Sequence, residues 1–179
     1  RASIDSTRSL PGVSQYREGR RGLDFGLSCY LHVPFCRRKC RYCAFYSQAP
    51  KPGEVGGYLD ALRIELLSWR RYLGAKPVIN SLYIGGGTPT CLTSEEWPIL
   101  IDILEEGLSF SKGAEVSVEA NPDSLIRRHL DLWRSWRICR VSLGIQSFSP
   151  ENLRWLGRLH DEKQAISALE LCADGGFSV

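Results

Sequence analysis

At 179 residues the chain has room for one domain with a full hydrophobic core. Its 43% apolar and 24% charged residues are ordinary for a globular protein, and a net charge of +3 without a basic stripe argues against nucleic-acid binding. No apolar run approaches the length of a membrane span.

Residues 1–26 hold five arginines against three acids, with scattered Ser, Gly and Pro and no helical or strand period. They read as a flexible leader. Arg- and Ser-richness is faintly similar to the end of an organellar transit peptide, but Asp5, Glu18 and Asp24 oppose that. The chain contains no methionine and stops at Phe177-Ser-Val179, where a new strand is expected. It therefore reads as a piece of a longer protein, with 27–179 forming the N-terminal part of a core domain.

A strand over Cys29–Val33 is ended by Pro34 and runs into a loop carrying Cys36, Cys40 and Cys43, spaced C-x3-C-x2-C. Three thiolates on a tight loop can converge on one metal centre but leave a four-coordinate ion or a four-iron cube one ligand short. Structural sites close that position with protein, whereas sites that do chemistry keep it open. Zinc ribbons use two cysteine pairs, and no second pair follows. An odd count of seven cysteines argues against a disulfide framework. Cys29, Cys91, Cys139 and Cys172 read as small buried hydrophobes. Arg37, Arg38, Lys39 and Arg41 crowd the loop, where cations favour thiolates and attract an acidic partner. His32 alternates with Leu31 and Val33 and is expected near the loop.

Leu59, Leu62, Leu66, Trp69 and Leu73 form one face of a helix that Gly74 caps. Val78–Ile84 is the next strand, followed by Gly85-Gly-Gly-Thr-Pro89. Three residues without a β-carbon let backbone approach a ligand closely. No Gly-Lys-Ser/Thr follows, which excludes a Walker motif. Thr93-Ser-Glu-Glu96 resembles a capping box for a helix through Trp97, Leu100, Ile101, Leu104 and Leu108, with Pro98 awkward inside it. Glu115–Glu119 is a third strand. Asp123 or Ser124 is expected to cap a helix through Leu125, Ile126, Leu130 and Trp133, on which His129 reads as a surface residue. Ile138–Ile145 is a fourth strand with Gln146 past its end. Ser149-Pro150 opens a short helical region that includes Arg158, and a last helix starts near Lys163 and ends at Gly175-Gly176.

Strand–helix alternation repeated four times predicts an α/β fold with a parallel sheet and helices outside. The cysteines, the triple glycine, Glu119 and Gln146 all follow C-terminal strand ends, the edge that carries chemistry in barrel and open α/β folds alike.

Four motifs in order, C-x3-C-x2-C, GGGTPT, EANP and SLGIQSFSPENLRWLGRLH, resemble the radical S-adenosylmethionine (SAM) superfamily from about Tyr30 to Val179. Within it they are similar to oxygen-independent coproporphyrinogen III oxidases and their HemW-type heme-chaperone relatives. The resemblance implies a partial (β/α)6 TIM-like barrel, of which this chain would hold about four β/α units. It also implies a [4Fe-4S] cluster on Cys36, Cys40 and Cys43, with an open iron chelated by SAM. Tyr30, Tyr42, Gly86, Gly87, Thr88, Glu119, Gln146 and Arg158 become candidate cofactor contacts. Phe45 stands where the decarboxylating enzymes carry a fourth cysteine, which favours the chaperone branch. That branch implies heme, a heme-acceptor protein and an acidic electron donor such as flavodoxin or ferredoxin. Cytoplasmic placement is expected, with mitochondrion or plastid as the alternative. The rivals are a coproporphyrinogen III dehydrogenase that decarboxylates propionates and a non-catalytic zinc-binding scaffold.

Overall fold

A computed structural model describes residues 26–179, so the leader expected over 1–26 lies, but for Gly26, outside the described residues. Four parallel strands stand side by side in chain order: β1 Leu27–Val33, β2 Val78–Gly86, β3 Ser109–Ala120 and β4 Arg140–Leu143. Helices α1 Glu54–Leu73, α2 Glu96–Gly107 and α3 Arg127–Ser135 connect them, and α4 Pro150–Leu156 and α5 Glu162–Asp174 follow β4. These are the four expected β/α units. Ser178 begins to pair in parallel with Arg140, where a fifth strand would dock.

The sheet has one dry face. Leu31 and Val33, Leu82 and Ile84, Val116 and Val118, and Val141 alternate onto it and pack with Leu59, Leu62, Trp97, Leu100, Leu104, Leu130 and Trp133 of the helices. The other face is polar. Tyr30, Tyr83, Ser117 and Arg140 stand in one row across all four strands. Around that row Ser81 donates to Ser28, Ser117 to Glu115, and Arg140 pairs with Glu115 at 3.2 Å. Barrel interiors are ordinarily filled by branched apolar side chains, so this face is built to meet water or a polar ligand.

Several local expectations need correcting. β2 runs through Gly85 and Gly86, so two of the three glycines are strand residues, not loop. Asp123 and Ser124 do not cap α3; they sit in a turn closed by Ser124 and Leu125 N–H bonds to Asn121 O, and Ile126 precedes the helix. His129 is buried, because it stacks on Trp133 at 5.7 Å and bonds Leu92 O through Nε2 at 3.1 Å. Trp69 is 41% exposed: α1 is about 30 Å long and outruns a β1 of about 23 Å. Cys139 is exposed, being the residue between buried Ile138 and the sheet. Ile138–Ile145 contracts to four strand residues because the chain turns at Gly144.

Other signals act as expected. Gly74 caps α1 in the left-handed conformation, and Ser149 accepts a bond from Asn152 N–H ahead of Pro150. Thr93 and Glu96 exchange the reciprocal capping-box bonds, and Pro98 falls within the first turn of α2, where its missing N–H is not needed. Asp161 and Gln164 form a second capping box, opening α5. Among the described residues no helix is long and apolar enough to cross a membrane.

Candidate functional site

The cysteine loop leaves β1 at Val33 and is tied down on both sides by backbone. Cys36 N–H donates to Gln48 O at 2.9 Å and Gln48 N–H to Pro34 O at 2.9 Å, closing the loop on itself. Gly87 N–H donates to Val33 O and Thr88 N–H to Phe35 O, both at 2.7 Å, so the end of β2 backs the loop. Arg41 N–H reaches Leu156 O at 3.1 Å, joining the loop to the end of α4.

The loop cations act largely as struts. Arg37 donates to Asp123 O at 3.0 Å, Lys39 to Phe45 O at 3.1 Å and Arg41 to Trp155 O at 3.4 Å. His32 holds the far arm by bonding Tyr46 O through Nε2 at 2.9 Å.

The glycines answer first to the protein's own packing. A β-carbon at Gly87 would lie 2.5 Å from Phe35 O, and one at Gly85 would meet Tyr83 and the Glu119 carboxylate within 3.0 Å. Gly86 combines φ +111° with His32 Nδ1 at 2.6 Å from any added β-carbon. The close approach expected toward a ligand is therefore made by neighbouring strands, although Gly86 and Gly87 also border the cavity described next.

That cavity, of about 370 Å³, opens at the C-terminal ends of the strands. Cys36, Cys40 and Cys43 border it together with Tyr42, Gly86, Gly87, Thr88, Glu119, Gln146 and Arg158. Ten of the eleven candidate residues thus meet at one place. Tyr30 does not border it; its ring stacks on Tyr83 at 6.1 Å, and Tyr83 donates to Glu119 at 2.9 Å. Glu119 also accepts from Gly86 N–H at 3.0 Å, which leaves lone pairs on both oxygens for a ligand donor. Gln146 is exposed and sits at φ +66°, a left-handed strain unusual for a residue with a side chain.

Arg158 does not lie in the helical region where it was expected, but just past the Gly157 cap of α4. From there its guanidinium donates to Cys40 Sγ at 3.2 Å, to Asn121 Oδ1 at 2.7 Å and to Gly144 O. Asn121 Nδ2 donates to Thr88 Oγ1 at 2.9 Å, and Thr88 Oγ1 lies 3.3 Å from Cys36 Sγ. Asn121, which also borders the cavity, is the candidate residue that residue-by-residue reading passed over. Its signal was present in the EANP motif, two residues beyond Glu119 at the same strand end.

Burial raises the Tyr42 hydroxyl above its ordinary value, with Arg158 opposing and Cys40 adding. Cys91 lies behind the loop, its thiol pushed up to about 11 chiefly by burial.

All seven cysteines are free thiols. The three loop sulfurs share the cavity without closing on a point, and among the described residues no three His, Cys, Asp or Glu side chains are gathered around a single ion position. Three soft sulfur donors, one facing the Arg158 guanidinium and another beside the Thr88 hydroxyl, fit an iron–sulfur cluster by donor chemistry.

Comparison with known proteins agrees. Residues 30–179 match the Radical SAM superfamily. The heme chaperone HemW of Bacillus subtilis is 35% identical over 151 residues, covering 84% of this chain and 40% of that protein. The heme chaperone HemW of Mycobacterium tuberculosis is 39% identical over 172 residues, covering 93% of this chain and 42% of that protein. The structure of coproporphyrinogen III oxidase (HemN) from Escherichia coli, a radical SAM enzyme, superposes with a TM-score of 0.77 at 33% identity, over 85% of this chain and 35% of that one. The chain spans about two fifths of the length of the curated relatives it matches.

Proposed function

The chain belongs to the radical SAM superfamily, and from that premise we propose that it serves in a HemW-like heme chaperone. In this reading Cys36, Cys40 and Cys43 hold a [4Fe-4S] cluster, SAM binds beside them, and the whole protein transfers heme to an acceptor protein in the cytoplasm. An acidic flavodoxin or ferredoxin would supply electrons at the basic cysteine loop. The observation that carries the reading is the shared cavity of three thiols and the strand-end residues, in a chain 35–39% identical to heme chaperones. Exposed Phe45, on the cavity wall where decarboxylating relatives are expected to place a further cysteine, supports the same branch.

A bound cluster of this type supplies one electron to the sulfonium of SAM. This chain's residues hold and orient. Cys36, Cys40 and Cys43 would hold such a cluster with one position left for SAM. Glu119 accepts from ligand hydroxyl or ammonium groups, Gln146 offers a donor and an acceptor, and Arg158 provides positive charge at the cavity wall. Gly86 and Gly87 present backbone, Thr88 and Tyr42 present hydroxyls, and Tyr30 steadies Glu119 through Tyr83.

Similarity to HemN keeps coproporphyrinogen III oxidation as the second reading. Anaerobic iron and sulfide analysis with electron paramagnetic resonance comes first. About four irons per chain and a reduced spectrum altered by SAM support the site. Stoichiometric zinc with no reconstitutable cluster would sink it. Heme titration and coproporphyrinogen turnover by the full-length protein then separate chaperone from oxidase.

A further inference from the structure

Cys36 and Cys40 are joined by a continuous polar chain that crosses three strand ends. It runs from Cys36 Sγ to Thr88 Oγ1, to Asn121 Nδ2, and from Asn121 Oδ1 through Arg158 to Cys40 Sγ. Arg158 sets the direction of the hydrogens as far as Thr88. A guanidinium has donors and no acceptor, so Arg158 must donate both to Cys40 Sγ and to Asn121 Oδ1. That fixes which end of the Asn121 amide is oxygen, and so turns its nitrogen toward Thr88. Thr88 Oγ1 accepts that hydrogen, and once Cys36 is a thiolate, with no hydrogen of its own to give, the Thr88 hydroxyl donates to Cys36 Sγ. As thiolates, both sulfurs therefore face donors. The chain is built closely: Thr88 is 4% exposed, and a β-carbon on Gly144 would lie 2.6 Å from Asn121 Oδ1. Arg158 Nε is buried without a partner, so the side chain is held by its two terminal nitrogens alone.

We propose that Asn121 is a positioning residue: oriented by Arg158, it aims the Thr88 hydroxyl at Cys36, so that one rigid network supplies a hydrogen to two of the three cluster-binding sulfurs. The cluster side of this rests on the reading above. Hydrogen bonds to thiolate ligands favour the reduced, more negative cluster and raise its potential. Losing them makes reduction harder.

Two measurements test the network, the first without the cluster and the second through it. In the cluster-free protein, unfolding constants of Thr88→Val, Arg158→Lys and the double variant are compared. Coupling through Asn121 makes the pair depart at least about twofold from the product of the singles, and the departure vanishes in an Asn121→Leu background. In reconstituted protein without SAM, where cofactor contacts cannot contribute, redox titration follows the cluster. For Thr88→Val and Asn121→Leu the reduced-to-oxidised ratio at the wild-type midpoint falls severalfold, a tenfold fall being about 59 mV for one electron. Thr88→Ser stays at wild type. Asn121→Asp keeps the acceptor for Arg158 but puts an acceptor in place of the donor to Thr88, drawing the Thr88 hydrogen away from Cys36 and adding negative charge, so its ratio falls at least as far as that of Asn121→Leu; it also serves if the leucine variant does not fold.

Additive unfolding constants, or potentials unchanged in both Thr88→Val and Asn121→Leu, overturn the proposal. Coupling in a protein that loads no iron in any form supports the network and removes the cluster reading instead.

Discussion

At the scale of single residues, space decides more than flexibility. Gly87 and Gly113 are both glycines of the sheet region, but they stand in opposite surroundings. Gly113 has φ +84° and nothing within 4 Å of an added β-carbon, so Gly113→Ala should cost only the left-handed strain, about 1–2 kcal/mol. Gly87→Ala drives a β-carbon against the Phe35 carbonyl and should cost more than Gly113→Ala, while also loosening the cysteine loop. Urea unfolding compares the two, and limited proteolysis near Phe35 reports the loop. His129 carries a pH dependence. Burial lowers its pKa below the ordinary 6.5, so between that lowered value and 6.5 the unfolded chain binds more protons than the native one. Stability therefore falls as pH drops through this window, by up to about 1.4 kcal/mol per unit for one histidine. His160, also lowered by burial and by Arg158, acts in the same direction. A His129→Gln variant should be less stable at pH 7.5 and show a shallower slope between pH 7 and 5 in denaturant titrations.

Elements were legible in the sequence wherever a local rule was enough. Alternating apolar residues located the strands, and Ser149-Pro150 and Thr93–Glu96 marked helix starts through bonds that do form. Several failures share a cause: they depend on a partner far along the chain. Asp123 looked like a cap but pairs with Arg37, and Ser124 is within 2.7 Å of Thr90 Oγ1. His129 counted as polar on a helix until Trp97 and Trp133 closed around it. Asn121 was visible as a letter in a motif, but its role needed both Thr88 and Arg158 in place. Gln146 shows the same limit in backbone form, since nothing local demands φ +66° of a glutamine. Gln146→Gly should relieve that strain and leave stability equal or raised by up to about 1 kcal/mol, while SAM affinity falls. Thermal melts and equilibrium binding measure the two effects, and a loss of stability with affinity unchanged would contradict the assignment.

Across the whole molecule, the sheet separates a dry side from a wet one, and the cysteines are distributed accordingly. Cys172 is fully buried with its thiol pushed up to about 11, and Cys91 is likewise raised to about 11, whereas Cys139 is exposed. At pH 8 a thiol of pKa about 11 is only about 0.1% thiolate. Iodoacetamide on the native, cluster-free protein should therefore label Cys139 well before Cys91 and Cys172, as read by mass spectrometry of peptides at successive times. Early labelling of Cys172 would mean that α5 opens from the core.

Because the strands lie in the sheet in their order along the chain, each unit can join an edge already formed by its predecessor. Assembly can thus keep pace with synthesis, except at one point. The cysteine loop is complete early, but the Arg158 donor to Cys40 is encoded 118 residues later. For the interval in between, the thiols exist without the arginine that will face them. A nascent chain halted before Arg158 should fold its four strands yet retain iron poorly, and the capacity to hold it should arrive with the turn after α4. Cofactor loading would then be timed by the chain's own length.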